Sequence, residues 1–279
     1  MGVAVGFLTT FFVLTRFLSA QEIGLARVLV DAATLFIGLA QLGTNTSIIR
    51  FYPYFKDADT RDHGFFFYTL VVPLFGFLLF ALVYWACHIP LGNWFGDKSP
   101  LFMDYYYMVL PLAFFMLYQT IFETNANVLM RIVVPRAVRE LVVRIGMLAL
   151  YLLYAFRILS MDGFVIGLCL NYAVAALINL AYLFAVGHIS LRPDWTFLRN
   201  NPSLVRNYLL YTGFLFISAV ASVLAPALSS FFITAKMGLD STGIYAIATY
   251  IAVMVSIPYR SVTAIASPQL AHAIKEQDR

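Results

Sequence analysis

The chain has 279 residues, of which 62% are apolar and 11% are charged, and its net charge is +4. Soluble domains carry about a quarter charged residues, so this composition excludes a water-soluble fold. The Lys and Arg residues are scattered between apolar segments and form no basic stripe, so nucleic acid is not expected as a partner.

Apolar segments of about the length that crosses a bilayer follow one another along the chain. They cover residues 3–18, 25–49, 65–87, 101–122, 138–159, 164–186, 208–235 and 244–266. The sequence therefore predicts an all-α membrane protein, a polytopic bundle of about eight transmembrane helices.

The first segment, residues 3–18, has no basic residue ahead of it and no small-residue cleavage pattern behind it. It is therefore interpreted as a spanning helix and not as a signal peptide. It is shorter than the roughly 20 residues that a span needs, so we expect that the chain lacks its true N-terminus.

Basic residues are divided unequally between the two sides of the predicted bundle. Twelve lie on the side where segments two, four, six and eight end, and five lie on the opposite side. Because basic residues are retained on the cytoplasmic side, both ends of the chain are predicted to be cytoplasmic.

The connection 187–207 is the longest one, and it divides the chain into two predicted parts. Residues 1–186 form a first lobe of six helices, 187–207 a cytoplasmic linker, and 208–279 the two-helix start of a second lobe. A shift of 219 positions places Gln21–Leu25 over Asp240–Ile244, and both copies are a short turn that ends in Gly before a span. This pattern predicts a parallel internal repeat.

The stretch Thr15–Leu25 resembles the signature that joins the first two helices of polysaccharide flippases, within the multidrug/oligosaccharidyl-lipid/polysaccharide exporter superfamily. Residues 238–245, Ile257-Pro258 and 267–271 are similar to the seventh and eighth helices of that family. The resemblance implies two six-helix lobes around a cavity that opens alternately to each side. It also implies that the chain is a fragment or a truncated product, with one six-helix lobe plus the first hairpin of the second.

Three arginines are candidates for substrate binding, because a planar guanidinium can bind phosphate oxygens bidentately. The resemblance implies that Arg16 flanks the cleft between the lobes, and Arg50 ends the second segment. Arg260 lies inside the eighth segment, where an ionised side chain is costly unless it lines a cavity. The other interpretation of each is an anchor at the membrane interface.

Arg27 and Asp31 are spaced i, i+4 at the start of the second segment, so they can pair on one helix face. They form either a structural ion pair or a site that couples transport to a proton or cation through Asp31. Pro226, beside Ser229 and Ser230, is the preferred hinge candidate, because proline removes a backbone hydrogen bond inside the seventh segment.

No cofactor and no metal is expected. Cys87 and Cys169 lie in separate segments without CxxC spacing, and the four His residues are isolated from one another. The sequence contains no HExxH, GxSxG or P-loop motif, and its connections are short, so an enzyme is not expected.

The favoured function is a flippase of a bacterial inner membrane that moves polyprenyl-pyrophosphate-linked glycans. Its partners would be the lipid-linked glycan, membrane lipids and other polysaccharide-assembly proteins. The first alternative is a cation-coupled multidrug exporter of the same superfamily, which needs an ionisable residue such as Asp31 in its core. The second alternative is a membrane enzyme of glycan assembly, such as a polymerase or an acyltransferase.

Overall fold

The computed structural model describes residues 15–57, 62–96, 98–186 and 190–255. Throughout these ranges the regular secondary structure is helical. Among the described residues, the helices long and apolar enough to cross a membrane are Ala20–Ala40, Asp62–Ala86 and Met161–Val186. The prediction of an all-α polytopic membrane protein is confirmed.

The main helices are numbered here in chain order. They are α1 Ala20–Ala40, α2 Thr44–Phe55, α3 Phe65–Ala86, α4 His88–Phe95, α5 Pro100–Asp104, α6 Val109–Val128, α7 Val143–Ala155, α8 Met161–Val186, α9 Trp195–Asn200, α10 Pro202–Met237 and α11 Leu239–Val255. Shorter helical turns lie at Thr15–Phe17, Asp62–Gly64, Tyr106–Met108 and Val133–Val142.

The third and sixth predicted spans agree with α3 and α8 to within a few residues. The second predicted span, 25–49, is divided instead into α1 and α2 by a turn in which Leu42 and Gly43 have positive φ. A Cβ on Gly43 would lie 2.9 Å from the carbonyl oxygen of Thr212, so the turn lets α10 approach closely. An unbroken apolar run does not reveal such a turn.

Two further boundaries differ from the predicted spans. The fourth span, 101–122, is divided into α5, a 3-10 turn and α6. Helix α10 begins at Pro202, inside the predicted linker 187–207, because proline suits the first turn of a helix, where a missing N–H leaves no hydrogen bond unmade. Most of the first predicted span lies outside the described residues.

Helix α1 is the central helix of the described bundle. Its side chains are buried on several faces, including Leu25, Val28 and Ala33, and it packs against α3, α6, α10 and α11. A helix that buries apolar residues on several faces belongs inside a bundle, which agrees with this position.

The connections gather at two ends of the bundle. At the first, named here the hairpin end, Tyr105 donates a hydrogen bond to Asp162 (2.6 Å) and Ser99 donates one to the carbonyl of Thr234 (2.7 Å). These hydrogen bonds join the segments on either side of α5 to the start of α8 and to the end of α10, so these helix ends meet at the hairpin end.

At the opposite end, named here the linker end, the segment before α9 packs against the start of α3. Nδ1 of His63 lies 2.9 Å from Oδ2 of Asp194, and the His63 ring stacks on Phe197 at 3.9 Å. Gly64 has a φ of +68°, and a Cβ there would overlap with the carbonyl oxygen of Arg192. Asp194 also caps α9 by accepting from the N–H of Phe197 at 3.0 Å. The pKa of Asp194 is held below its ordinary value, chiefly by the hydrogen bond with His63 and then by the bond from the Phe197 N–H.

Acid is expected to loosen this linker contact. A lowered pKa means that the Asp194 carboxylate stabilises the folded linker above the ordinary Asp value of about 3.9, and that this stabilisation is lost as the pH falls through the folded-state pKa. Hydrogen exchange should therefore show lower protection factors over residues 190–201 at pH 3 than at pH 7. In Asp194→Asn the protection factors are expected to be low at both pH 3 and pH 7. If acid lowers them in this variant as much as in the parent protein, Asp194 is not the group responsible.

Candidate functional site

The hairpin end is closed by a backbone crossing of α1 and α11. A Cβ on Gly24 would overlap with the carbonyl oxygen of Leu239, and a Cβ on Gly243 would overlap with that of Ala20. Two helices approach this closely only where both lack side chains at the contact, as in membrane helix pairs with small interfacial residues.

The crossing relates the two copies of the repeat. The 219-residue shift pairs Gly24 with Gly243 and Ala20 with Leu239. Each glycine therefore contacts the first residue of the opposite helix, so the two contacts are reciprocal. The repeat found in the sequence corresponds to a local two-fold arrangement of α1 and α11.

The segment before this crossing fixes the start of α1. Ser19 and Glu22 form a capping box, in which the Ser19 hydroxyl accepts from the Glu22 N–H (3.3 Å) and a Glu22 oxygen accepts from the Ser19 N–H (2.8 Å). The other Glu22 oxygen accepts a hydrogen bond from the Tyr154 hydroxyl of α7. The polar residues of this motif therefore hold the helix start that places Gly24 against α11.

One turn further into the bundle, α1 carries an ion pair that is hydrogen-bonded to α10. Nε of Arg27 lies 2.8 Å from Oδ2 of Asp31, and Ser230 donates a 2.6 Å hydrogen bond to the same oxygen. The exposed fractions of the Arg27 and Asp31 side chains are 35% and 16%, and Ser230 is fully buried. The contact of Asp31 with Ser230 was missed by sequence reasoning, although the Ser229-Ser230 pair inside an apolar helix was a signal.

A cavity of about 170 Å³ lies beside this ion pair, between α1, α7 and α11. Arg27, Tyr151 and Tyr250 line it together with apolar residues. Arg27 uses one of its five N–H donors, Nε, for Asp31. A guanidinium held in this way can present its remaining donors to an anionic group such as a phosphate.

The other arginine candidates do not form one site. Arg16 is exposed before the start of α1, and Arg50 is exposed on α2, beyond the other end of α1. The Arg50 guanidinium lies 4.1 Å from the centre of the Tyr211 ring, a cation–π contact that links α2 to α10. A helix of 21 residues is about 31 Å long, so Arg16 and Arg50 cannot hold the same pyrophosphate.

Two of the predicted site residues, Arg260 and Pro226, lie wholly or partly outside the described residues. Arg260 lies beyond the described residues. Pro226 lies within α10, but its side chain is not among those described. Within the described part of the chain, no group of three or more His, Cys, Asp or Glu residues is arranged to hold a metal ion.

A bundle of helices, several of them long and apolar enough to cross a membrane, defines a polytopic helical membrane protein. The chain matches the polysaccharide biosynthesis protein family over residues 3–271, and it belongs to that family. This makes it a polysaccharide-related membrane transporter in general terms. No curated protein and no solved structure matches the chain.

Alanine at either crossing glycine is expected to destabilise the protein. Gly24→Ala and Gly243→Ala should each lower the free energy of unfolding by about 1–3 kcal/mol, because the added methyl group forces the helices apart. Unfolding by SDS titration in mixed micelles would measure this. The double variant should lose less free energy of unfolding than the two single variants added together, because one separation of α1 and α11 relieves both overlaps.

The matched control for this prediction is Gly213→Ala in α10, where nothing lies within 4 Å of the added Cβ. This change should raise stability slightly, since Ala is a better helix former than Gly. Equal losses for Gly24→Ala and Gly213→Ala would contradict the role of the crossing.

Removal of the Ser230 hydroxyl is expected to weaken the link between α1 and α10. Ser230→Ala should cost about 1.5–3 kcal/mol, the range for a hydrogen bond to a charged group. The neighbouring Ser229 is exposed, so Ser229→Ala is the control and should change stability little. A double-mutant cycle of Ser230→Ala with Asp31→Asn should give a coupling energy above 0.5 kcal/mol, and strict additivity would argue against the contact.

Proposed function

We propose that this protein translocates polyprenyl-pyrophosphate-linked oligosaccharide or polysaccharide precursors across the inner membrane of a bacterium, and that it is a transporter and not an enzyme. The observation that carries the proposal is the match to the polysaccharide biosynthesis family over residues 3–271. The crossing of the two repeat helices supports it, because related repeats that pack around a membrane-depth site are typical of transporters.

The proposed orientation places the linker end in the cytoplasm. Arg192 and Arg199 precede α10 at this end, whereas Lys98 and Lys236 lie at the hairpin end. The larger number of basic residues in the linker-end connections favours the cytoplasm for that side. The substrate would then move from the linker end towards the hairpin end, and both ends of this chain would be cytoplasmic.

In this proposal Arg27 binds a phosphate of the substrate. It lines the cavity between α1, α7 and α11, and Asp31 holds it in place through Nε. Arg50 acts as an anchor between α2 and α10 through its contact with Tyr211. Arg16 and Arg260 stay candidates for later contacts along the path, and Pro226 stays the candidate hinge within the seventh predicted span.

The cation-coupled exporter has one observation in its favour. Asp31 is largely buried and accepts a hydrogen bond from Ser230 on α10, so its protonation or its binding of a cation would change a contact between α1 and α10. Its partner Arg27 lies one turn away on the same helix, and such an i, i+4 pair also fits a purely structural role.

The decisive experiment is reconstitution of the protein in liposomes with a labelled polyprenyl-pyrophosphate oligosaccharide. Movement of the glycan across the bilayer would be measured by its loss of reactivity towards an impermeant reagent outside. Translocation that needs the protein supports the flippase. Export of a cationic dye driven by an ion gradient and lost in Asp31→Asn, without glycan movement, would favour the exporter.

A conservative change at Arg27 tests the phosphate contact. Arg27→Lys keeps the charge and the ion pair but loses the planar fork, so translocation is expected to fall about tenfold, equivalent to about 1.4 kcal/mol. Arg199→Lys, at an exposed position of α9, is the matched control and should leave the rate unchanged. If both variants translocate at the parental rate, Arg27 does not bind the substrate.

A further inference from the structure

A second cavity, of about 280 Å³, lies on another side of α1. It is enclosed by α1, α3, α4, α5 and α10, and along α1 it extends from Ala32 to Leu39. These two positions are seven residue steps apart, so the lining along α1 spans about 10 Å. Its volume lies just below the roughly 300–1,000 Å³ of sites that hold a whole small ligand, which suits one part of a longer chain.

The lining of this cavity offers almost nothing to a polar ligand. Tyr84 and Tyr106 both line it, yet each hydroxyl donates to the other residue's backbone carbonyl, at 3.1 Å and 2.7 Å. Their rings stack at 4.1 Å with an interplanar angle of 6°. The two tyrosines therefore satisfy their own polar atoms and present aromatic carbon to the cavity, as do the neighbouring Phe36, Phe95 and Phe231.

The cavity opens between α3 and α10. Val83 on α3 and Leu228 on α10 both line it, and their exposed fractions are 50% and 42%. Helix α3 is largely unburied along its membrane-spanning length, and neighbouring residues such as Leu79 and Leu82 are exposed as well. Its exposed face is apolar, as a helix surface that meets lipid must be. An occupant that enters past Val83 therefore comes from the hydrocarbon layer.

We propose that this cavity binds part of the polyisoprenoid chain of a lipid-linked substrate. The assignment to an isoprenoid rests on the proposed function, because that substrate carries such a tail. The structure supplies the remaining grounds: a mouth beside the exposed apolar surface of α3 and an apolar aromatic lining. Rigid ring faces also favour a methyl-branched chain with double bonds, since aromatic faces attract C–H groups and stack with other π systems.

The native cysteines allow a direct test. Cys87 lines the cavity and is half-buried, whereas Cys169 is buried elsewhere, with its Sγ near the carbonyl of Met108. The chain has only these two cysteines. In purified Cys169→Ser protein in detergent, the reaction of Cys87 with a small maleimide would be followed with and without an added polyprenyl phosphate. Phosphatidate, which has a phosphate head and two acyl chains, is the comparison lipid.

The expected result is that polyprenyl phosphate slows labelling of Cys87 at least fivefold and phosphatidate less than twofold. Val83→Trp narrows the mouth and should abolish this protection. Leu82→Trp is the matched control, because Leu82 is an exposed neighbour that does not line the cavity, and it should keep the protection. Both changes are at exposed positions, so both variants are expected to fold.

Equal protection by both lipids would overturn the isoprenoid assignment, since the cavity would then be a general acyl-chain site. Protection by neither, or protection that survives Val83→Trp, would overturn the site itself. The assay involves no transport. Protection without translocation in liposomes would therefore refute the proposed function alone, and translocation without protection would refute this site alone.

Discussion

The backbone contact between α1 and α11 is the constraint on which the described structure depends. Lipid is as apolar as the helix surfaces, so packing in a bilayer gains little from the hydrophobic effect and relies on close van der Waals contact. Gly24 and Gly243 allow the closest approach, and each rests on the backbone of the opposite helix. Because the contact is reciprocal, it fixes both the separation and the register of the two repeats. Ser19 and Glu22 add to this by setting where α1 begins.

The position of α1 in turn explains how a charge is accommodated at Asp31. A carboxylate inside a membrane helix costs about 2.5–3.5 kcal/mol even on the more lenient scales. Arg27 neutralises it along the same helix, and Ser230 supplies a hydrogen bond from α10. The ion pair itself lies within α1, so the link from the charge to α10 is the Ser230 hydrogen bond, and its loss would leave the carboxylate with one partner fewer.

Sequence reasoning was most successful where the signal was local or repeated. The apolar runs predicted α3 and α8, and the 219-residue shift identified the two helices that cross. The i, i+4 spacing of Arg27 and Asp31 indicated a pair that the structure contains. In contrast, the break at Gly43 follows from the approach of α10, which is distant in sequence. The Ser230 contact and the aromatic cavity depend on tertiary packing in the same way, so no spacing along the chain indicates them.

The two cavities differ in chemistry and lie on opposite sides of one helix. Arg27 and Phe36 are nine residues apart, which at about 100° per residue places them on opposite faces of α1. One face thus meets a cavity with a cationic group, and the other face meets an apolar cavity. Helix α10 lines the apolar cavity through Leu228 and Phe231, and between them Ser230 donates a hydrogen bond to Asp31, the partner of Arg27. A movement of α10 that breaks the Ser230 hydrogen bond therefore also moves Leu228 and Phe231 and changes the shape of the apolar cavity, so the environment of the ion pair and that cavity are coupled through one helix.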